Sequence, residues 1–147
     1  MQIRQLRHDE MREAAAVHRA AFDERLPWLS GRCTPEQDTS YFAERVFREC
    51  TVWGAVSGPR LIGIIAFRAG WIDQLYVLPA CQGSGVGTSL LDMPKSKQRR
   101  LRLWTFQRNA RARAFYERRG FVAFEETDGT RNDEREPDVL YEWRAAE

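Results

Sequence analysis

The sequence predicts an α+β domain with one mixed, mostly antiparallel central sheet flanked by helices. Three observations carry this expectation. Helical patterning dominates the first third of the chain, two β-branched hairpins follow, and the remainder reads strand, glycine turn, helix, strand, helix, strand, strand. With 147 residues the chain suits one domain of ordinary size, taken here as residues 1–147. A hydrophobic content of 43%, with five Trp, eight Phe and four Tyr, is enough to fill a core, so a disordered chain is excluded.

Taken in order, "MQIRQLR" alternates Ile3 and Leu6 with polar residues and suggests a strand. His8 to Phe22 carries Met11, Ala15, Val17 or His18, and Phe22 at helical spacing, with Asp9 as the expected cap. Pro27 and Gly31 break the next stretch into a short helix and a loop. Thr34 then reads as an N-cap with Pro35 at the first helical position, opening a helix that ends near Glu49. "TVWGAV", "SGPR" and "LIGIIAF" form a hairpin, and "RAG" connects to "WIDQLYV". Strict alternation on that strand puts Trp71, Asp73, Leu75 and Val77 on one face. After Pro79 come the glycine turn, a helix from about Gly85, the strand "LRLWTF", a helix bounded by Asn109 and Gly120, and the strands "FVAFEE" and "VLYEWR". Pro94 is expected to kink or shorten its helix, because its ring meets the carbonyl of Leu90.

Charge is segregated although the net value is only +2. Ten Lys or Arg face one acid between Lys95 and Arg119, and nine acids face three Arg from Ala123 onward. A basic block of this kind suits nucleic acid, a membrane surface or a phosphorylated small molecule, or it is simply a solvated helix face. Three cysteines in no metal-like spacing speak against a disulfide framework or a metal site, and a reducing cytoplasm is expected. No signal-peptide pattern and no membrane span are read, so no membrane partner is expected.

"CQGSGVGTSLL" puts Gly83, Gly85 and Gly87 within five positions at the start of a helix. Backbone N–H groups and the positive helix end converge there, and the missing Cβ atoms admit an anion. The pattern Gln82-x-x-Gly85-x-Gly87 lacks the Lys-Ser/Thr of a phosphate loop. A loose dinucleotide turn and a purely structural tight turn remain alternatives. About twenty residues on, "NARARAFYERRGF" offers an amphipathic helix with Ala112, Phe115 and Tyr116 in one stripe.

Together with "LYVLPACQGSGVG", that second segment resembles the GNAT superfamily of acetyl-CoA-dependent N-acetyltransferases, over about Leu61 to Phe121 and more weakly to Trp143. The resemblance implies a GNAT-like fold, acetyl-CoA as cosubstrate and a primary amine as acceptor. By that resemblance, Leu75, Tyr76 and Val77 pair their backbone with the pantetheine arm. The loop of Gln82, Gly83, Ser84, Gly85, Val86, Gly87 and Thr88 wraps the pyrophosphate, and Asn109 contacts the cofactor. Tyr116 protonates the departing thiolate, and the Val77 N–H faces the oxyanion. Arg113 is the expected phosphate contact outside the loop. Many relatives carry a glutamate at the position of Trp71; here Asp73 is the substitute expected as catalytic base, with Glu134 and Glu136 as further candidates. Phe22, Asp23, Glu24 and Trp28 could recognise a cationic acceptor. His8 and His18 read as a loop residue and a helix-surface residue. A non-catalytic acyl-CoA-binding domain and a nucleic-acid module are the rival readings, and a homodimer is left open.

Overall fold

The computed structural model describes residues 1–147. Strand β1 (Gln2–Gln5) leads through a short 3₁₀ turn to α1 (Met11–Arg25). Next come α2 (Pro35–Tyr41), a π-helical stretch (Phe42–Val46) and α3 (Phe47–Glu49). Strands β2 (Thr51–Ser57), β3 (Arg60–Arg68) and β4 (Trp71–Val77) follow, then α4 (Val86–Lys97), β5 (Arg100–Phe106), α5 (Ala110–Glu117), β6 (Val122–Thr127) and β7 (Asp138–Arg144). The seven strands form one sheet in the order β1-β2-β3-β4-β5-β7-β6, antiparallel except for β4 beside β5.

Two apolar layers enclose the sheet. On one side Met11, Ala14, Ala15 and Val17 of α1, with Phe42 and Val46, pack on Val52, Leu61, Ile64 and Ala66. On the other, Val86, Leu90 and Leu91 of α4 and Tyr116 of α5 cover Ile62, Ile65, Phe67, Ile72, Leu101, Leu103 and Tyr141. Thr34 caps α2 as expected, its hydroxyl accepting from the Gln37 N–H while Gln37 returns a bond to the Thr34 N–H. Asp9 does not cap α1: its carboxylate pairs with the Arg7 side chain, and Glu10 accepts from the Arg7 N–H instead. The expected early stop at Pro94 does not occur either. Its helix runs on to Lys97, with the Gln98 N–H donating to the Pro94 carbonyl at 3.0 Å. Pro94, Leu90 and Leu91 are all buried, and that packing offsets the lost Leu90 bond.

A β-bulge changes the faces of β4. Ala66 pairs with Gln74 but Phe67 pairs with Ile72, so Asp73 is the extra residue. Ile72, rather than Asp73 or Trp71, therefore shares the α4 side with Leu75 and Val77. Tyr76 faces α1. Strict alternation fails here because one residue is spent on bending the strand.

Arg19 ties α1 to α2. Its guanidinium grips both Asp38 oxygens at 2.8 Å and reaches Asp23 at 3.1 Å, and the Asp38 side chain is only 7% exposed. Removing Asp38 takes two charge-assisted bonds from Arg19 and leaves it only Asp23, so Asp38→Ala should cost about 2–3 kcal/mol in urea unfolding. A loss below about 1 kcal/mol would mark the bond as an ordinary surface pair.

Candidate active site

The site begins where the sheet opens. Parallel strands β4 and β5 pair only at Trp71 and Arg102, and beyond that point they diverge. A cleft of about 1620 Å³ fills the gap, lined by α1, β4, the glycine turn, the end of β5, α5 and the β6–β7 loop. The Leu78 N–H donates to Ile62 of β3 at 2.9 Å. Because backbone groups alternate along a strand, the N–H and C=O groups of Leu75 and Val77 point the other way, to the side where β5 has turned off. The Val77 carbonyl on that side takes a bond from the Gln82 side chain at 2.9 Å. Apart from that carbonyl the edge has no backbone partner, a geometry that suits an extended, amide-bearing ligand added as a strand.

The glycine turn stands at the end of this edge. Gly83 and Gly85 have φ of 80° and 89°, and a Cβ on either would meet nothing within 4 Å. Glycine is thus required by the turn and leaves open space in front of the first turn of α4, as an anion needs. Gly87 lines the cleft and also makes room for a neighbouring helix. A Cβ there would stand 3.1 Å from the Phe115 ring, so this glycine lets α5 pack against α4. Val86 buries its side chain in the core, Ser84 donates to the Cys81 carbonyl at 2.7 Å, and Thr88 accepts two bonds from Arg119 at 2.9 and 2.7 Å. Arg119 also lies 3.8 Å over the Phe115 ring, which holds its charge beside the turn.

Residues 48–123 match the family model described as an acetyltransferase (GNAT) domain. The chain belongs to the GNAT acetyltransferase family. Among solved structures, YjaB of Escherichia coli in its apo form is 24% identical, with a TM-score of 0.79 over 99% of this chain and 98% of that one. The PaiA N-acetyltransferase of Thermoplasma acidophilum, in complex with coenzyme A, is 23% identical with a TM-score of 0.71 over 97% and 98%. YncA of Salmonella typhimurium, with its cofactor acetyl-CoA, is 16% identical with a TM-score of 0.73 over 100% and 95%. These likenesses bear on the fold. No curated protein matches the sequence.

Within this GNAT domain the other expected site residues divide. Tyr116 lines the cleft from α5, enclosed by Phe115, Phe121 and Tyr141, and burial raises its phenol so that it stays protonated. Asn109 lines the cleft and also caps α5, accepting from the Ala112 N–H at 3.2 Å. Arg113, expected as a phosphate contact outside the loop, turns to the sheet and donates to the Tyr141 hydroxyl at 2.9 Å and the Gln107 carbonyl at 3.3 Å. Asp73 borders the cleft, but Arg68 holds both its oxygens at 2.7 and 3.1 Å and the Cys50 thiol donates to it at 3.3 Å. Burial, then that bond to Asp73, pushes the Cys50 thiol up to about 12. Glu136 is buried away from the cleft, bonded to the Trp28 indole at 2.9 Å, with Arg108 stacked 3.8 Å over the same indole. Trp28 is therefore a brace between loops, and Asp23 is held by Arg19, which leaves neither free for an acceptor. Glu134 lines the cleft and makes no ion pair or hydrogen bond.

His18 is the residue that sequence reasoning misplaced. It lines the cleft rather than the surface, its ring 4.5 Å from that of Tyr76 and edge-on to it, with Nδ1 buried and unpartnered. Burial, aided by the Arg19 charge, lowers it to about 4 from 6.5. The unfolded chain therefore takes up a proton below pH 6.5 that the folded chain refuses, and stability falls as pH drops from 6.5 towards 4. Glu10, held down to about 2 chiefly by its bond to Arg4, stabilises above 4.5 and loses that contribution as pH falls towards 2. Acid destabilisation should thus begin above the carboxylate range, and His18→Gln should flatten the slope between pH 4.5 and 6.5 in urea midpoints. Parallel slopes for wild type and variant would show that His18 titrates freely.

Proposed function

We propose that this GNAT acetyltransferase transfers the acetyl group of acetyl-CoA to a primary amine by direct attack on the thioester. The observation that carries the reading is the meeting of three features in one cleft: the unpaired Leu75–Val77 edge, the open Gly83–Gly85 turn and the buried Tyr116 phenol. The residues fit the cosubstrate. The edge suits the amides of the pantetheine arm, and the turn with Arg119 suits the pyrophosphate. Asn109 borders the path between them. Acetyl-CoA supplies an activated thioester; the chain supplies position and protons.

The Val77 N–H donates to the thioester oxygen as negative charge develops there. Tyr116 gives its proton to the departing sulfur, a role that suits a phenol kept neutral by burial. Of the cleft carboxylates weighed as base, Glu134 is the one without a cation or donor on it, and it takes the proton of the incoming amine. Asp73, engaged by Arg68, shapes the β4 bulge instead. The nucleic-acid reading loses support because Lys95, Arg102, Arg113 and Arg119 are all committed to internal bonds. No helix is long and apolar enough to cross a membrane.

Thiol release from acetyl-CoA over a panel of amines tests the proposal. Release matched by one acetylated product is expected. Tight binding of coenzyme A with no turnover across the panel would replace this reading with that of a non-catalytic acyl-CoA-binding domain.

A further inference from the structure

Five arginines that line the cleft, Arg25, Arg32, Arg111, Arg118 and Arg131, donate no side-chain hydrogen bond, and of these only Arg25 is shielded from solvent. Arg25, on the last turn of α1, is only 18% exposed on its side chain, yet it donates no hydrogen bond. Its nearest carboxylate is that of the adjacent Glu24 at 3.7 Å, itself 46% exposed. Arg111, at the start of α5, lines the same cleft and makes no ion pair or hydrogen bond. Burial lowers Arg25, the Glu24 charge works against that, and the Arg111 charge lowers it a little further, so the two cations are near enough to repel. By contrast Arg19, Arg68 and Arg119 each grip a partner below 3 Å. A shielded guanidinium whose N–H groups make no hydrogen bond, with a second cation lining the same cleft, is stabilised by an oxyanion that both can reach. Carboxylates without an ion pair, Asp133 and Glu134, line the cleft from the β6–β7 loop, which also brings Arg131 to it. That loop is braced by Asn132, which donates to the Glu136 carbonyl at 2.7 Å and to Asp138 at 3.1 Å.

We propose that the acceptor is a small zwitterionic amine carrying an oxyanion, as an amino acid does, and that Arg25 and Arg111 select it by binding that oxyanion. The inference rests on the acetyltransferase reading and names the acceptor class for the same site. Arg25 belongs to α1, across the sheet from α4, so it approaches from the side opposite the glycine turn. The cosubstrate phosphates have the turn and Arg119 for themselves. The ammonium of such an acceptor meets Glu134, which then receives its proton, while the oxyanion is held by the arginine pair.

The test measures kcat/KM at saturating acetyl-CoA for the free L-amino acids and phosphoethanolamine, each beside a counterpart lacking the anion, such as the decarboxylated amine or ethanolamine, and for spermidine. The better acceptors should be oxyanion-bearing, about tenfold or more above their counterparts. Phosphoethanolamine against the amino acids tells phosphate from carboxylate recognition. Arg25→Gln and Arg111→Gln should each bring that ratio towards one by raising acceptor KM, with Arg25→Lys intermediate because it keeps the charge and loses the fork. Preference for spermidine or the uncharged counterparts would overturn the inference while leaving the acetyltransferase reading intact. A rise in the KM for acetyl-CoA in the Gln variants, in place of acceptor KM, would overturn it too by assigning the pair to the cosubstrate. Absence of thiol release with every amine would end both readings.

Discussion

Tyr116→Phe is expected to lower kcat by about 100-fold or more, with the dissociation constant of coenzyme A changed by less than about threefold. The substitution removes one oxygen from a ring that otherwise keeps its neighbours Phe115, Phe121 and Tyr141. No protein group hydrogen-bonds that hydroxyl, so its loss leaves no orphaned partner and the fold should tolerate the change. What disappears is the proton for the leaving sulfur, and a thiolate expelled without one leaves more slowly. The deficit should shrink with an acyl thioester whose thiol is more acidic, since that leaving group needs less help. Steady-state rates with two thioesters and calorimetric binding of coenzyme A decide the matter. An unaltered kcat would reduce Tyr116 to a packing residue.

Gly85→Val should raise the dissociation constant of coenzyme A by about 100-fold or more. At a φ of 89°, a Cβ on Gly85 would project into the open space where the pyrophosphate is proposed to sit. Two lost charge-assisted hydrogen bonds at about 1.5–3 kcal/mol each account for that factor. Stability should also fall, by about 1–3 kcal/mol, because a β-branched residue is strained at positive φ. Gly87→Val provides the contrast: its Cβ meets the Phe115 ring, so the melting temperature should drop with a smaller effect on affinity per degree lost. Calorimetric titration beside thermal unfolding separates the two. Unchanged affinity in Gly85→Val would remove the phosphates from this turn.

Much of the molecule was legible before any coordinate. The glycine turn, the caps at Thr34 and Asn109 and the hairpins around Gly58 and Gly70 are local features, set by residues a few positions apart. The segment proposed to hold the cosubstrate is local in the same sense, since it is one strand, one turn and one following helix.

The rest of the cleft was not legible, for a physical reason that recurs along it. Asp73 lies on a bulge, and a bulge is decided by how β3 and β4 fit each other rather than by the period of β4. Arg113 is drawn off by Tyr141, Arg119 is drawn in by Thr88, and His18 is buried by Phe22, Phe42 and Tyr76. Each of these partners is far along the chain or on another element. By itself, then, the sequence determined the α+β class, the family and the glycine turn, because short-range stereochemistry and periodicity encode them. Only the tertiary structure decided which charges are spent and which are free, as at Arg25, Arg111 and Glu134, because a side chain's electrostatic role depends on neighbours that folding alone brings near.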